Sequence, residues 1–314
     1  MYDIIGDIHG HATPLKNLLK KMNYAEIDGV WQHPERKVIF LGDFVDRGPE
    51  QLEVINIAKS MVERGYAQAV MGNHEFNAVA WATPTADGLD YLRTHSDKNQ
   101  HQHKAFLAQI GEGSEKHFEV VEWFKTLPIF LDLEGLRVIH ACWHPASLQV
   151  LADFTDEKDC IKSDAWAELN RKGSQAYDAL EIVLKGLEIP LPGGVDFEDK
   201  DGHSRKHIRA KWWELEGLTY RDLAMVPSDV IDLIPHTPIP DDLLPGYAGD
   251  KLLFVGHYWM TGEPVALSTH IACLDYSIAA STPSNRPDER KLCAYRWSGE
   301  NEIIQDNFIS VKHI

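Results

Sequence analysis

Three times in its first 75 residues the chain carries a short apolar run that ends in glycine and passes directly into acidic, amide or imidazole side chains. YDII leads into GDIHG (residues 6–10), KVIFL into GDFVDRG (42–48), and AVM into GNHE (72–75). Two later runs end in histidine, VIHACWH at His140 and FVGHYW at His257. Glycine lets a strand turn sharply as it leaves the core and keeps the space ahead of it free of side chains. In open sheets, sites collect at the carboxyl ends of strands, so residues distant in sequence can converge there. Any fold for this chain must therefore bring several such strand ends together.

The elements between the motifs are compatible with that demand. YDIIGD and KVIFLGD read as strands, and AQAVMGNHE as a third. HATPLKNLLKKMNY reads as a helix with Leu15, Leu18 and Leu19 on one face, and PEQLEVINIAKSMVERGY as a helix opened by Pro49 and closed by Gly65. The resulting β-α-β-α-β order predicts a sheet with crossover helices. Further on, IFLDLEGLRVIHAC predicts a hairpin turning at Glu134-Gly135, and KLLFVGHY, HIACLDYS and KLCAYRWSG predict more strands. Residues 145–250 are polar and rich in Pro, Gly and Asp, yet WAELNRKGSQAYDALEIVL has helical character and KWWELEG is too aromatic for disorder. The expectation is one domain over 1–314, with 145–250 a cap or insertion within it.

Composition removes several classes of function. A formal net charge of −17 repels phosphate backbones and disfavours general nucleic-acid binding. No stretch approaches the apolar length of a membrane helix, and the N-terminus enters YDII without the features of a secretory signal. Cys142, Cys160, Cys273 and Cys293 lack C-x-x-C spacing and read as reduced, mostly buried thiols of a cytoplasmic protein. Nothing in the sequence sets the oligomeric state.

The strand-end residues Asp7, His9, Asp43, Asn73, His140 and His257 make a mixed oxygen and nitrogen donor set. Such a set suits Mn²⁺, Fe²⁺, Zn²⁺ or Co²⁺ better than Mg²⁺ or Ca²⁺, which prefer oxygen shells. A shared carboxylate would let two ions sit about 3.5–4 Å apart, as in two-metal hydrolases.

With GDIHG, GDFVDRG and GNHE in this order, the chain resembles the calcineurin-like metallophosphoesterases, and within them the phosphoprotein phosphatase branch. It is similar to bacterial serine/threonine phosphatases and to symmetrical diadenosine tetraphosphate hydrolases. The resemblance rests on residues 1–80 and on stretches near 137–144 and 252–297. It implies an α/β fold, a four-layer α/β/β/α sandwich of two mixed sheets with a dinuclear site at their top. By the same resemblance, Asp7 and His9 bind the first ion, Asp43 bridges, and Asn73, His140 and His257 complete the second; Mn²⁺ is the expected metal. Relatives that end in G-H-x-H place a further ligand where this chain has Trp259, a departure that agrees with the phosphoprotein phosphatase branch.

Two divalent ions at these residues would lower the pKa of bound water towards ~7 and neutralise charge on phosphoryl oxygens, so the expected nucleophile is a water activated by the ions. Arg47 offers a planar fork for phosphate oxygens, against the alternative of a surface arginine. His74 is the expected general acid, oriented by Asp46, whose plainer reading as a helix N-cap ahead of Pro49 is compatible with that role. A second phosphate-binding arginine is sought in HSRKHIRAKWW, with Arg209 preferred to Arg205; the alternative is a solvated basic face balancing the acidic FEDKD before it. Trp212 and Trp213 are candidates for stacking on a base, or for the core. His95, His101, His103 and His117 lie in a polar segment and read as surface, with a third metal as the alternative.

The leading expectation is a phosphomonoesterase of phosphoprotein (Ser/Thr) phosphatase type. The alternative is a symmetrical bis(5'-nucleosyl)-tetraphosphatase, and a non-catalytic regulatory binding module is the remote one. The substrate is then a phosphorylated small molecule, a phosphoprotein or a nucleotide.

Overall fold

A computed structural model describes residues 1–198, 204–214, 218–226, 230–240, 243–247, 249–280 and 289–313. Two mixed sheets form its centre. The first runs, in spatial order, Phe308–Lys312, Lys291–Trp297, Tyr2–Ile5, Lys37–Phe40 and Ala67–Ala69. The last three are mutually parallel, while Lys291–Trp297 is antiparallel to both of its neighbours. The second runs Ile271–Cys273, Leu252–Val255, Leu136–Ile139 and Phe130–Asp132. Leu252–Val255 is parallel to both neighbours, and the last two strands form the hairpin expected at Glu134-Gly135.

The two-residue period of the strands divides their side chains between two hydrophobic layers. Ile4, Ile39, Leu136, Val138, Leu252, Phe254, Ala272, Cys293 and Tyr295 form one buried cluster between the sheets. Their alternates Ile5, Val38, Phe40, Leu253, Val255, Leu292 and Ala294 belong to the larger cluster that contains the helices. Strands buried on both faces, with helices outside, make the expected α/β/β/α layering. The helices Ala12–Lys21 and Gln51–Glu63 supply Leu15, Leu18, Leu19, Val54, Ile55, Ala58 and Met61 to that outer packing. Full burial of each such aliphatic side chain is worth about 1.5–3 kcal/mol.

The third motif departs from the sequence reading. The strand covers only Ala67–Ala69, and GNHE opens a helix, Asn73–Ala82. Glu75 causes the change. Its buried carboxylate accepts from Gly72 N at 3.1 Å, Asp43 N at 2.8 Å and Phe44 N at 2.8 Å. It thus caps the helix start and ties two motif loops together.

The first part of 145–250 completes an outer layer. Helices Pro145–Leu151 and Gln175–Lys185 belong to the larger cluster through Leu151, Leu180, Val183 and Leu184, and the amides of Ala141 and Cys142 donate to Val183 O at 3.1 and 3.2 Å. Next, Glu188–Pro190 pairs with His207–Arg209 in a two-stranded ribbon. Trp212 and Trp213 are both buried, and Trp212 Nε1 donates to Tyr258 Oη at 2.7 Å, so they belong to the core and not to a base-stacking surface. All four cysteines are buried and unpaired. No helix among the described residues is long and apolar enough to cross a membrane.

Candidate metal centre

The motif loops are laced together by backbone bonds at the carboxyl ends of the parallel strands. Ile8 N and His9 N both donate to Asp43 O, Gly10 N to Phe44 O, and Gly48 N to His9 O. Two glycines are required by close approach. A Cβ on Gly72 would lie 2.2 Å from Asp43 Oδ1, and one on Gly256 would lie 2.1 Å from Asp7 Oδ1. His9, Asp43, Asp46, Arg47, His257 and Trp259 all have positive φ, between 46° and 72°. Non-glycine residues adopt that left-handed conformation only where the surroundings impose it.

Asp43 is the centre of the arrangement. Its Oδ1 accepts from His74 N at 3.0 Å. Its Oδ2 faces three imidazoles, with His140 Nε2 at 3.4 Å, His9 Nε2 at 3.5 Å and His74 Nε2 at 3.9 Å. His9 Nδ1 donates to Val45 O at 3.0 Å and His140 Nδ1 to Leu41 O at 2.7 Å. Those bonds fix the tautomers and aim the Nε2 lone pairs at the centre, as metal-binding histidines require. Asn73 Oδ1 lies 2.9 Å from His257 Nδ1 and 3.2 Å from His140 Nε2. Donors at right angles on an ion with bonds of 2.0–2.2 Å stand about 3 Å apart, so these spacings fit a common cation.

Two groups placed so that each could hold a metal ion share Asp43, one with His9 and His74 and the other with His140 and His257. Asp7 adjoins them: its Oδ2 accepts from His257 N at 3.0 Å, while its Oδ1 is buried without a hydrogen-bond partner. A buried orphan carboxylate oxygen is costly unless a cation or proton meets it. Burial, then the neighbouring Asp275, raises the Asp7 pKa well above the usual carboxylate range. Burial opposes protonation of His140, yet the Asp43 carboxylate overrides it and pushes the imidazole up to about 10. The partnerless buried Asp7 oxygen and the convergence of imidazole and amide donors on Asp43 are what make the residues present fit divalent cations.

Around this centre the remaining candidates take distinct places. His74 Nδ1 donates to Asp46 Oδ2 at 2.5 Å. Asp46 caps no helix, because the helix after Pro49 begins at Gln51 with Glu50 at the capping position. Arg47 is exposed, and its guanidinium lies 4.5 Å from the ring centre of Trp259. The Trp that stands in the G-H-x-H slot is therefore a platform for Arg47. Arg209 Nη1 donates to His257 Nε2 at 3.1 Å, and Glu188 Oε1 is 3.5 Å from Arg209 Nη2. Arg205 and Arg209 line one cavity in front of the centre. Asp199 and Asp201, from the acidic stretch expected to balance these cations, lie outside the described residues.

The cavity in front of the centre has a volume of about 990 Å³ and is walled by Arg47, Asn73, His74, the Gln175–Lys185 helix and the ribbon carrying Arg209. Among the described residues, seven arginines and lysines line it against two glutamates, in a chain of net charge −17.

Two participants were missed by the sequence reading. His103 is buried, not on the surface, and its Nδ1 donates to Asp46 Oδ1 at 2.6 Å. Its signal was available: His103, Phe106, Leu107 and Ile110 share a helical face, and all four are buried. Asp275, buried, accepts from Trp259 N at 2.8 Å and Ser277 N at 2.9 Å. It ends IACL, one more apolar run that passes into an acid. The other three histidines part company. His95 stacks between Trp81 and Tyr91, His101 is exposed, and His117 is buried beside Phe106. None of the four joins a metal-ligand group among the described residues.

The model of the calcineurin-like phosphoesterases matches residues 2–268. The chain belongs to that family, whose members are metal-dependent phosphoester hydrolases. It is 30% identical over 140 residues to an asymmetrical bis(5'-nucleosyl)-tetraphosphatase of Oceanobacillus iheyensis, covering 44% of this chain and 54% of that protein. It is 31% identical over 169 residues to a symmetrical bis(5'-nucleosyl)-tetraphosphatase of Marinomonas sp., covering 52% of each. The chain thus spans about half the length of these curated relatives. Its fold is like that of a cold-active protein tyrosine phosphatase, with a TM-score of 0.52 and 17% identity over 99% of this chain and 78% of that one.

Proposed function

We propose that the protein hydrolyses phosphoric anhydrides of the dinucleoside polyphosphate class, by a centre of two divalent metal ions. The observation that carries this reading is the basic cavity opening directly onto the Asp43 cluster in an otherwise acidic chain. A monoester presents one dianionic group, whereas a phosphate chain presents several, and a cavity with seven cations among its described lining residues, two of them paired with Glu181 and Glu188, matches the second charge pattern. The names of the tetraphosphatase relatives support the same choice. It ranks the dinucleoside reading above the phosphoserine/threonine reading that the motifs alone favour.

Asp7, His9 and Asp43 would hold one ion, and Asp43, Asn73, His140 and His257 the other, with Mn²⁺ the first choice and Fe, Zn or Co the alternatives. When bound, such ions supply an activated water at neutral pH and neutralise phosphoryl oxygens. Arg47, stacked on Trp259, grips the reacting phosphoryl group through its fork. Arg209 adds a second cation from the opposite wall. His74, its Nδ1 held by Asp46, presents Nε2 to protonate the leaving oxygen. The ribbon of Glu188–Pro190 and His207–Arg209 acts as the part of the expected cap that walls this cavity on one side.

Purified protein loaded with Mn²⁺ and given diadenosine tetraphosphate, a phosphopeptide and p-nitrophenyl phosphate separates the readings. Anhydride cleavage should give the highest kcat/KM; a phosphopeptide preference restores the monoester reading.

A further inference from the structure

The same cavity contains a charged group that the chemistry above does not use. Arg93 Nη1 donates to Asn77 Oδ1 at 2.8 Å, and its Nη2 donates to Asn99 Oδ1 at 3.1 Å and Gln102 Oε1 at 3.0 Å. All three acceptors are neutral amides. Among the described residues no carboxylate forms an ion pair with it; Asp46 and Glu181 act on it only at longer range. Both of those acids are already engaged, Asp46 by His74 and His103, Glu181 by Lys185. A partly buried guanidinium without a countercharge is destabilising until an anion joins it.

The group is also built rigidly. Arg93 N donates to Ala80 O at 3.0 Å and Leu92 N to Thr83 O at 2.9 Å, which fastens the segment to the end of the Asn73–Ala82 helix. Two residues later, His95 is sandwiched between Trp81 and Tyr91, with ring centres 3.7 and 4.1 Å away. The amide oxygens hold the guanidinium plane and leave further N–H donors for a ligand.

Its position indicates which ligand. Asn77 follows Asn73 by four residues, so it lies on the same helical face, about 6 Å further along the axis. Asn73, His74, Asn77, Arg93 and Gln102 all line one cavity with Arg47. A cation one helical turn beyond the reacting position can meet an anionic group of the same substrate that is not itself attacked.

We propose that Arg93, clamped by Asn77, Asn99 and Gln102, binds a non-reacting phosphoryl group of a phosphate chain and is a determinant of specificity for polyphosphates over monoesters. The proposal rests on the anhydride reading above and names the residue that selects for it.

Competitive inhibition of p-nitrophenyl phosphate hydrolysis tests it, with orthophosphate and tripolyphosphate as probes at fixed free Mn²⁺. In the unmodified protein tripolyphosphate should bind at least about tenfold more tightly than orthophosphate. Arg93→Gln should weaken tripolyphosphate by roughly 10-fold and orthophosphate by much less, the loss expected for hydrogen bonds to a charged group. Arg93→Lys should recover part of that difference, and thermal melts establish that each variant is folded. Equal inhibition by tripolyphosphate before and after substitution overturns the assignment, as does an equal loss for both probes. Neither result touches the proposed function, which the hydrolysis of diadenosine tetraphosphate decides separately.

Discussion

His103 and His74 hold opposite oxygens of one carboxylate: His103 Nδ1 lies 2.6 Å from Asp46 Oδ1, and His74 Nδ1 lies 2.5 Å from Asp46 Oδ2. Asp46 is buried, and burial alone would raise its pKa. The two imidazoles reverse that and hold it below the usual carboxylate range. The carboxylate therefore stays ionised, with both lone-pair directions fixed, and His74 has one orientation to adopt.

Replacing His103 should loosen that orientation without removing a group that touches substrate. His103→Ala should lower kcat about tenfold and leave KM nearly unchanged, since a hydrogen bond to a charged group is worth about 1.5–3 kcal/mol. His103→Gln should recover part of the rate by donating again to Asp46. A change in KM alone, with kcat intact, would contradict the positioning role.

His74→Asn removes the proposed proton donor while preserving the helix start. The fall in kcat should reach about 10²–10⁴ for substrates with poor leaving groups and be much smaller for p-nitrophenyl phosphate, whose leaving group needs no proton. Steady-state rates on an alkyl phosphate and on p-nitrophenyl phosphate make the comparison. Equal losses would exclude the acid role.

Asp43→Asn removes the carboxylate shared by both ligand groups. Turnover should be abolished and bound metal, measured by elemental analysis of protein purified without chelators, should fall. Chelation of the unmodified protein should give the same inactive state, recovered when Mn²⁺ is added back.

Gly256→Ala tests the geometry itself, because the added methyl would meet Asp7 Oδ1 at 2.1 Å. The variant should fold, since Gly256 has no positive φ that only glycine tolerates. It should bind less metal and lose activity by more than about tenfold, as displacement of a ligand carboxylate implies. A fully metallated, active variant would mean that Asp7 has room to move and is not a fixed ligand.

Much of this was legible in the sequence for a physical reason. The strands are buried on both faces, so each appears as an apolar run, and each run that reaches the site ends in a candidate ligand. Asp7, Asp43, His140 and His257 announced themselves this way. GNHE was misread as the end of a strand because its helix is capped by Glu75, three residues inside, and not by a residue ahead of it. His103 was overlooked because QHQHKAF looks polar until its helical face is traced. Arg93 gave no signal at all: its role depends on amides from two helices that only the fold brings together, and three neutral acceptors leave no pattern in a sequence.

One feature of the backbone bears on how such a protein tolerates change. Six non-glycine residues around the centre occupy left-handed conformations, each of which costs of order 1–3 kcal/mol. Arg47→Gly, at an exposed side chain, would relax a strained peptide and raise the melting temperature, even as it removed the proposed phosphate clamp. Selection for folding alone would favour unstrained residues at these positions, so the strain is accepted for the side chains it aims at the centre.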